Sequence, residues 1–364
     1  MTETGMIWAL CRPGFEADAG QELVSRAAEV GGYGFFVPEA AGWVRFEMPG
    51  QAAESIMRAI PLGELVFVRD WYIGIGETVP LPKEDRVGAV LEAVRDAGAT
   101  GPYARVDVHV PLDGTEESLP RFARKWTSPL AKALRGAGIL SGESDPTAGG
   151  TGLEILLPDF SRVWLARRDP ALSSDFHEGV PRLRMPGTAP SRSTLKLEEA
   201  LHRFFTPEER DRLLRHGMTA VDLGAAPGGW TWQLVQRGLA VTAVDNGPMD
   251  EALMASGLVT HRTEDAFTWR PPHPVDWLVC DIVDRPARVV ELMVEWLENR
   301  LCRMAVFNLK LPMKQRWACW QEYRSRLEEG IAASGADLRV RAAHLYHDRE
   351  EITCCVAPPV TGSR

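Results

Sequence analysis

The chain opens with short apolar runs set between amphipathic stretches. Ile7–Cys11 is apolar and stops at Arg12-Pro13-Gly14, which predicts a strand and a turn. Leu23, Val24 and Ala27 then recur on one helical face, predicting a helix over 16–30 that ends at Gly31-Gly32, residues suited to a C-cap. Strands at 35–37 and 43–47, a helix at 52–59 and a strand at 65–72 complete a small α+β unit. Pro80-Leu81-Pro82 opens a second unit: helix 86–96, strand 104–110, helix 119–137 and strands 153–157 and 162–166. Within it, 136–152 is rich in Gly, Ser, Asp and Thr and reads as a loop. Pro170, Pro181, Pro186 and Pro190 mark 169–190 as a connector.

Beyond Thr194 the pattern alternates strictly. It predicts helix 195–205, strand 219–223, helix 231–236, strand 241–245, helix 249–256 and a short strand near Val259. Strand 277–282, helix 287–300, strand 304–309 and helix 314–333 follow. Strands 338–346 and 352–356 close the chain, joined by a tight turn at His347-Asp348-Arg349. Such alternation predicts a parallel sheet covered on both faces. The final hairpin adds an antiparallel edge strand, the arrangement of a Rossmann-like class I methyltransferase sheet, which plain dinucleotide-binding sheets lack. The expected division is 1–78 and 79–172 (two α+β domains), a linker over 173–190, and an α/β domain over 191–364, with no internal repeat.

Composition narrows the function. At 364 residues the chain has room for two or three domains. No apolar stretch approaches the ~20 residues that span a bilayer. The first residues lack a basic leader, so neither a secretory signal nor membrane association is expected. Cys11, Cys280, Cys302, Cys319, Cys354 and Cys355 have neither metal-ligand nor disulfide-framework spacing. They read as buried thiols of a cytoplasmic protein, and no metal is expected. The net charge of −9 counts against indiscriminate nucleic-acid binding. Yet 118–142 carries Arg121, Arg124, Lys125, Lys132 and Arg135 without an acid, and 180–196 carries Arg182, Arg184, Arg192 and Lys196 likewise. Each run is either a solvated face or an RNA contact.

The strongest motif is Asp222-Leu223-Gly224-Ala225-Ala226-Pro227-Gly228-Gly229-Trp230, between a predicted strand and helix. Glycines at such a turn let backbone amides approach a ligand. A dinucleotide fingerprint would read G-x-G-x-x-G and seat a pyrophosphate. Here Pro227 removes an amide donor and Asp222 adds negative charge, which suits a cationic ligand with an ammonium group, S-adenosyl-L-methionine. Asp245, closing the next strand, is placed to accept the ribose hydroxyls of an adenosine; the bland alternative is a helix N-cap. Asp265 could accept from an adenine amino group, or simply begin a helix.

The fourth strand ends at Asp281, followed by Ile282-Val283. Methylation of exocyclic base amines would call for Pro-Pro and an aromatic there, and methylation of a cytosine carbon for a Pro-Cys nucleophile. Neither is present. Lys310 closes the fifth strand, at the edge where ligands bind in open α/β sheets. With Lys196, Asp281 and Glu351 it forms a Lys-Asp-Lys-Glu set suited to taking a proton from a ribose 2′-hydroxyl. An ordinary lysine titrates near ~10.4, so a second cation is needed to favour the free amine. Lys196 and a sulfonium would provide it, while Asp281 and Glu351 hold the lysines in place. Taken singly, each residue could equally be a surface ion-pair partner.

This tetrad resembles that of the RrmJ/FtsJ-type ribose 2′-O-methyltransferases. The strings Ser191-Arg192-Ser193-Thr194-Leu195-Lys196, Pro227-Gly228-Gly229-Trp230-Thr231, Val244-Asp245-Asn246-Gly247-Pro248-Met249, Asn308-Leu309-Lys310-Leu311-Pro312-Met313-Lys314 and His344-Leu345-Tyr346-His347-Asp348-Arg349-Glu350-Glu351 resemble the RlmM family. The opening Leu10-Cys11-Arg12-Pro13-Gly14-Phe15-Glu16 extends the likeness over essentially the whole chain. The resemblance implies SAM-dependent 2′-O-methylation of a cytidine in bacterial 23S ribosomal RNA. It also implies a ferredoxin-like unit and an RNA-engaging THUMP domain ahead of the catalytic domain. By matching motif it makes Lys310 the general base and puts Ser193, Ala226 to Gly229, Asp245, Asp265 and Asp281 around SAM. Glu351 is preferred to Glu350 as the tetrad acid, because the family pattern places the acid directly before the apolar strand. A monomer with no obligate protein partner is expected. The rivals are a nucleotide-dependent oxidoreductase, an RNA-binding protein with a degenerate methyltransferase fold, and a 2′-O-methyltransferase of another RNA.

Overall fold

A computed structural model describes residues 5–99, 101–113, 116–142 and 150–359 of the protein. The chain forms two compact units that divide between Gly179 and Val180.

In the first unit the elements are β1 (Met6–Leu10), α1 (Glu16–Glu29), β2 (Phe35–Ala40), β3 (Trp43–Glu47), α2 (Ala53–Ala59), β4 (Asp70–Pro80), α3 (Arg86–Asp96), β5 (Arg105–His109), α4 (Ser118–Gly136), β6 (Gly152–Asp159) and β7 (Arg162–Arg168). All strands share one seven-stranded sheet in the order β2-β3-β1-β4-β7-β6-β5. Trp8, Trp43, Tyr72 and Trp164 pack together on this sheet. A second core joins Val90 and Val94 of α3 and Trp126, Leu130 and Leu134 of α4 to Leu153 and Ile155 of β6.

The strand expected over 65–72 instead begins at Asp70 and runs to Pro80. Residues 65–68 are buried but belong to no strand. The Val66 and Phe67 amides donate to the carboxylate of Glu22, at 2.6 and 2.8 Å, so a side chain replaces the ladder there. Beyond Ile73, Gly74 and Gly76 interrupt the apolar pattern and hid the strand's extent. The expected division at 78/79 falls inside β4, which pairs with β1 on one side and β7 on the other. The two N-terminal parts therefore share a sheet. The centre of the expected loop, 143–149, lies outside the described residues.

Helix α4 is strongly two-sided. Leu119, Ala123, Trp126, Leu130 and Leu134 are buried, whereas Arg121, Arg124, Lys125, Lys132 and Arg135 are exposed. None of these cations pairs with an acid among the described residues.

The second unit contains α5 (Thr194–Phe204), α6 (Pro207–Leu213), β8 (Thr219–Leu223), α7 (Gly229–Val235), β9 (Ala240–Val244), α8 (Glu251–Met254), β10 (Val259–Arg262), β11 (Val275–Cys280), α9 (Pro286–Glu298), β12 (Cys302–Lys310), α10 (Arg316–Ser334), β13 (Arg339–Ala343) and β14 (Glu351–Ala357). Its sheet runs β10-β9-β8-β11-β12-β14-β13. Strands β8 to β12 are parallel, and β14 is antiparallel to both of its neighbours. The antiparallel strand is thus not the edge, as the hairpin pattern suggested. Ile352 to Ala357 are buried throughout, which suits a strand covered on both faces, while β13, with exposed Arg339 and half-buried Arg341, takes the edge. The connection between them spans 344–350 and is not a tight turn. Helix α6 was not anticipated, although Thr206 and Glu209 form a full capping box at its start. All six cysteines are free and five are buried. Among the described residues no helix is long and apolar enough to cross a membrane.

Strand order reverses between β8 and β11, with β9 and β10 on one side and β12 on the other. In an open parallel sheet, the carboxyl ends of strands at such a point border a crevice.

Candidate active site

Strand β8 delivers Asp222 to that crevice, and the chain turns through 224–228 into α7. Gly228 has φ 118°, a conformation that favours glycine, and a Cβ there would lie 2.4 Å from Leu253. Gly229 is needed for close approach: a Cβ on it would lie 2.2 Å from Ser193 Oγ. The segment before α5 is stitched onto this turn. The Thr194 hydroxyl donates to the Gly229 carbonyl at 2.8 Å, and the Trp230 indole to the Ser193 carbonyl at 3.0 Å. Ser191 and Ser193 share a hydroxyl contact of 2.7 Å. Trp230 itself is part of the core. Gly224 donates its amide to the Val244 carbonyl at 2.9 Å, tying the turn to β9.

Asp222 is 1% exposed. One of its carboxylate oxygens accepts from the Thr231 hydroxyl at 2.6 Å, and the other has no hydrogen-bond partner among the described residues. Burial pushes its pKa up to about 7, and the nearby Asp281 and Asp245 add to the rise against the Thr231 hydrogen bond. Leaving a buried acceptor unpaired is costly, so this oxygen fits a ligand that brings a donor or a positive charge. It does not fit a pyrophosphate.

Asp245 follows β9 and accepts from the amides of Ala226 at 3.0 Å and Gly247 at 2.7 Å. A carboxylate has about four lone-pair sites, so capacity for two further donors remains. The residue that caps α8 is Asp250, whose carboxylate accepts from Leu253, while Asp245 closes the turn through Gly247 ahead of it. Asp265 is exposed and accepts from the Phe267 amide at 2.9 Å, closing a turn of its own without starting a helix. Pro227 is exposed on the turn.

The tetrad candidates come from different elements. Asp281 follows β11, Lys310 ends β12, Glu351 begins β14 and Lys196 lies in the first turn of α5. Lys196 Nζ lies 2.6 Å from Glu351 and 3.5 Å from Asp281. Burial works against its charge, but the two carboxylates outweigh it and hold the ammonium above its ordinary pKa. Burial raises the Asp281 pKa, with Lys196 and the Asn308 amide, which donates at 2.6 Å, pulling the other way. For Glu351 the Lys196 partner overcomes burial and keeps its carboxyl below the usual range.

Lys310 stands directly opposite Glu351 in the β12–β14 pairing, so both side chains leave the same face of the sheet. It is exposed and makes no ion pair or hydrogen bond among the described residues. The expectation that Asp281 and Glu351 would hold both lysines is therefore corrected: they hold Lys196. Lys310 projects from an exposed strand end, while Lys196 is half-buried beside both acids. Glu350 turns elsewhere and pairs with Arg316 at 2.9 Å.

Sequence reasoning missed the layer beneath. Asn308 holds Asp281 and accepts from the Thr353 hydroxyl at 2.8 Å; Thr353 also lies 3.0 Å from buried Asp348. Glu199, one turn after Lys196, accepts from the Tyr346 and His347 amides at 2.7 and 3.0 Å. The available signal was the spacing of Asn308, two residues before Lys310 and so on the same face of β12.

The site thus sets a buried acid with an unmet oxygen at the switch point and a lysine–carboxylate set at the strand ends, and the FtsJ-like methyltransferase class follows from the comparisons. A family model described as FtsJ-like methyltransferase matches residues 189–311, and one described as RlmM ferredoxin-like domain matches residues 5–72. The chain is 51% identical over 354 residues to Ribosomal RNA large subunit methyltransferase M of Marinobacter nauticus, covering 96% of this chain and 98% of that one. It is 45% identical over 349 residues to the protein of the same name from Tolumonas auensis, covering 94% and 93%. A solved structure it resembles, Aeropyrum pernix fibrillarin with natively bound S-adenosyl-L-methionine, is 13% identical with a TM-score of 0.32, too slight a likeness to carry an argument. The chain belongs to the ribosomal RNA large subunit methyltransferase M family and is an enzyme.

Proposed function

We propose that the protein methylates the ribose 2′-hydroxyl of a cytidine in 23S ribosomal RNA, with S-adenosyl-L-methionine as methyl donor and Lys310 as general base. The observation that carries this reading is the division of labour between the two lysines. Lys196 is paired with Glu351 and Asp281, whereas the Lys310 side chain, opposite Glu351, is unpaired among the described residues. A lysine that must take a proton cannot be locked in an ion pair.

Asp222 and Asp245 offer acceptors for the donor's ammonium and ribose hydroxyls, with Ser193, Gly224, Ala226 to Gly229, Asp265 and Asp281 around them. When bound, the donor supplies an electrophilic methyl on a sulfonium. Lys310 receives the proton that the 2′-oxygen gives up; positive charge beside a lysine favours the free amine that can do so. Lys196 keeps Asp281 and Glu351 in place and positions the ribose. Holding the nucleotide in register contributes much of the rate by proximity.

RNA affinity is assigned to the N-terminal unit. In this reading the part of that unit built on α3, α4 and β5 to β7 is a THUMP-type RNA-binding element sharing its sheet with the ferredoxin-like part, and the second unit is the catalytic domain. The exposed cations of α4 suit RNA phosphates. The enzyme is expected to act as a cytoplasmic monomer.

Lys310→Ala should retain SAM affinity by calorimetry while losing on the order of 10²-fold or more in turnover, because a proton acceptor acts mainly in the transition state. Near-normal turnover would remove Lys310 as the base. Mapping 2′-O-methylation across 23S RNA from cells with and without the gene should show one cytidine gained. An unchanged map would move the target to another RNA.

A further inference from the structure

The N-terminal unit contains a cleft of about 290 Å³ that the chemistry above does not use. Small residues, Gly74 and Gly76 of β4 with Ala97 and Ala99 following α3, line it beside Ile73, Ile75 and Tyr103. Strand β4 is paired with β1 only as far as Ile73, and its pairing with β7 is interrupted between Ile75 and Val79. The backbone around Gly76 therefore borders the cleft where a neighbouring strand would otherwise lie.

Glu54, Ser55 and Arg58 of α2, together with Arg167 of β7, provide the polar lining. Glu54 lies between two guanidinium groups, 2.8 Å from Arg58 and 2.6 Å from Arg167. Those partners hold its carboxyl below the usual range, so it acts only as an acceptor. Arg167 Nε is buried without a hydrogen-bond partner among the described residues, an unmet donor in the wall. Donors and an acceptor are thus fixed side by side in a cleft whose remaining lining is apolar or aromatic. Glu54 together with Asp169, 3.6 Å from Arg58, balances the two guanidinium groups, which disfavours a phosphate: an anion would have to displace these carboxylates from the arginines. A planar, neutral group with both donors and acceptors on its rim suits the site.

We propose that this cleft receives a single unpaired base of the RNA, its flat face against the lining around Gly74, Gly76 and Tyr103 and its polar edge toward Glu54, Ser55, Arg58 and Arg167. The inference rests on the reading of RNA as substrate. Only an unstacked base can enter such a concavity and present a free edge. It assigns base reading to this cleft and backbone holding to α4, whose cations lie in the same unit.

The test uses the full-length protein and transcribed 23S RNA. Ser55 is exposed on α2 at the cleft, and Ser55→Trp places an indole where the base would go. RNA binding should weaken about tenfold, the scale of one lost stacking contact, with the salt dependence unchanged because no phosphate contact is lost. SAM affinity and the melting temperature should match wild type. Arg58→Ala should weaken binding in the same direction, and it carries the test if Ser55→Trp does not fold. A benzophenone amino acid at position 55 should crosslink to one discrete unpaired nucleotide. Wild-type affinity in both variants, or crosslinks scattered over many nucleotides, would overturn the proposal while leaving the methyltransferase reading intact. A wild-type enzyme that neither binds nor methylates 23S RNA would overturn both.

Discussion

Asp70 in the N-terminal unit and Asp222 in the methyltransferase unit are both buried aspartates whose pKa burial pushes up to about 7. Their surroundings differ in one respect. Asp70 is closed off: one oxygen accepts from the Trp71 and Ser174 amides at 2.9 Å, and the other from the Tyr72 hydroxyl at 3.0 Å. Asp222 accepts from Thr231 and keeps the other oxygen unmet. The cations repeat the contrast. His109 is buried with both ring nitrogens on carboxylates, Glu154 at 2.6 Å and Glu178 at 2.9 Å, whereas the Lys310 side chain has no partner among the described residues. His109, His177 and Glu178 bring metal-capable atoms within 4.8 Å of one another, but His109 has already committed its nitrogens. A perturbed pKa alone therefore does not separate a structural acid from a ligand-binding one; the unmet valence does.

Substitution of the two aspartates should break the comparison cleanly. Asp222→Ala should weaken SAM binding by about tenfold or more, the scale of one charge-assisted hydrogen bond, with little change in the melting temperature. Asp70→Ala should leave SAM affinity alone and destabilise the N-terminal unit by about 3 kcal/mol, because two amides and a hydroxyl lose a shared acceptor. Calorimetry and thermal melts on both variants test the pair, and the same profile from both would erase the distinction.

A pH series sharpens the second contrast. Burial opposes the charged form of His109, but Glu154 and Glu178 raise its pKa from 6.5 to about 10. Its stabilising contribution is therefore complete below about 6.5 and is lost as pH rises through about 10. The buried acids Glu22 and Asp70, raised to about 7, have nearly finished titrating by then. Between pH 7.5 and 10 the wild type should lose roughly 5 °C of melting temperature that His109→Gln does not lose. Parallel curves for the two proteins would show that His109 is not the titrating group.

The smallest effect separates adjacent acids. Glu351→Ala should cut turnover about tenfold or more by freeing Lys196. Glu350→Ala removes only a partly exposed pair with Arg316 and should stay within about twofold. The reverse order in steady-state assays would reassign the tetrad acid.

What could be read from the sequence was what local pattern encodes. The periods of α3, β8 and α9 marked elements that begin or end within a residue or two of where the structure puts them, and glycines around Pro227 marked the turn that follows Asp222. The positions of Lys310 and Asp245 at strand ends were legible because strand ends in an alternating β/α pattern fall at one edge of the sheet. Only the tertiary structure decided which charges meet. Lys196 and Glu351 are 155 residues apart in the chain, and their contact depends on β14 inserting between β12 and β13. Asn308, Thr353 and Asp348 form a supporting layer for the same reason, and Glu22 replaces a strand partner at 66–67 through side-chain acceptors 44 and 45 residues away. Periodicity reports which face of an element is apolar. It carries no record of the partner across the sheet, and it is the partner that left Lys310 free and Lys196 bound.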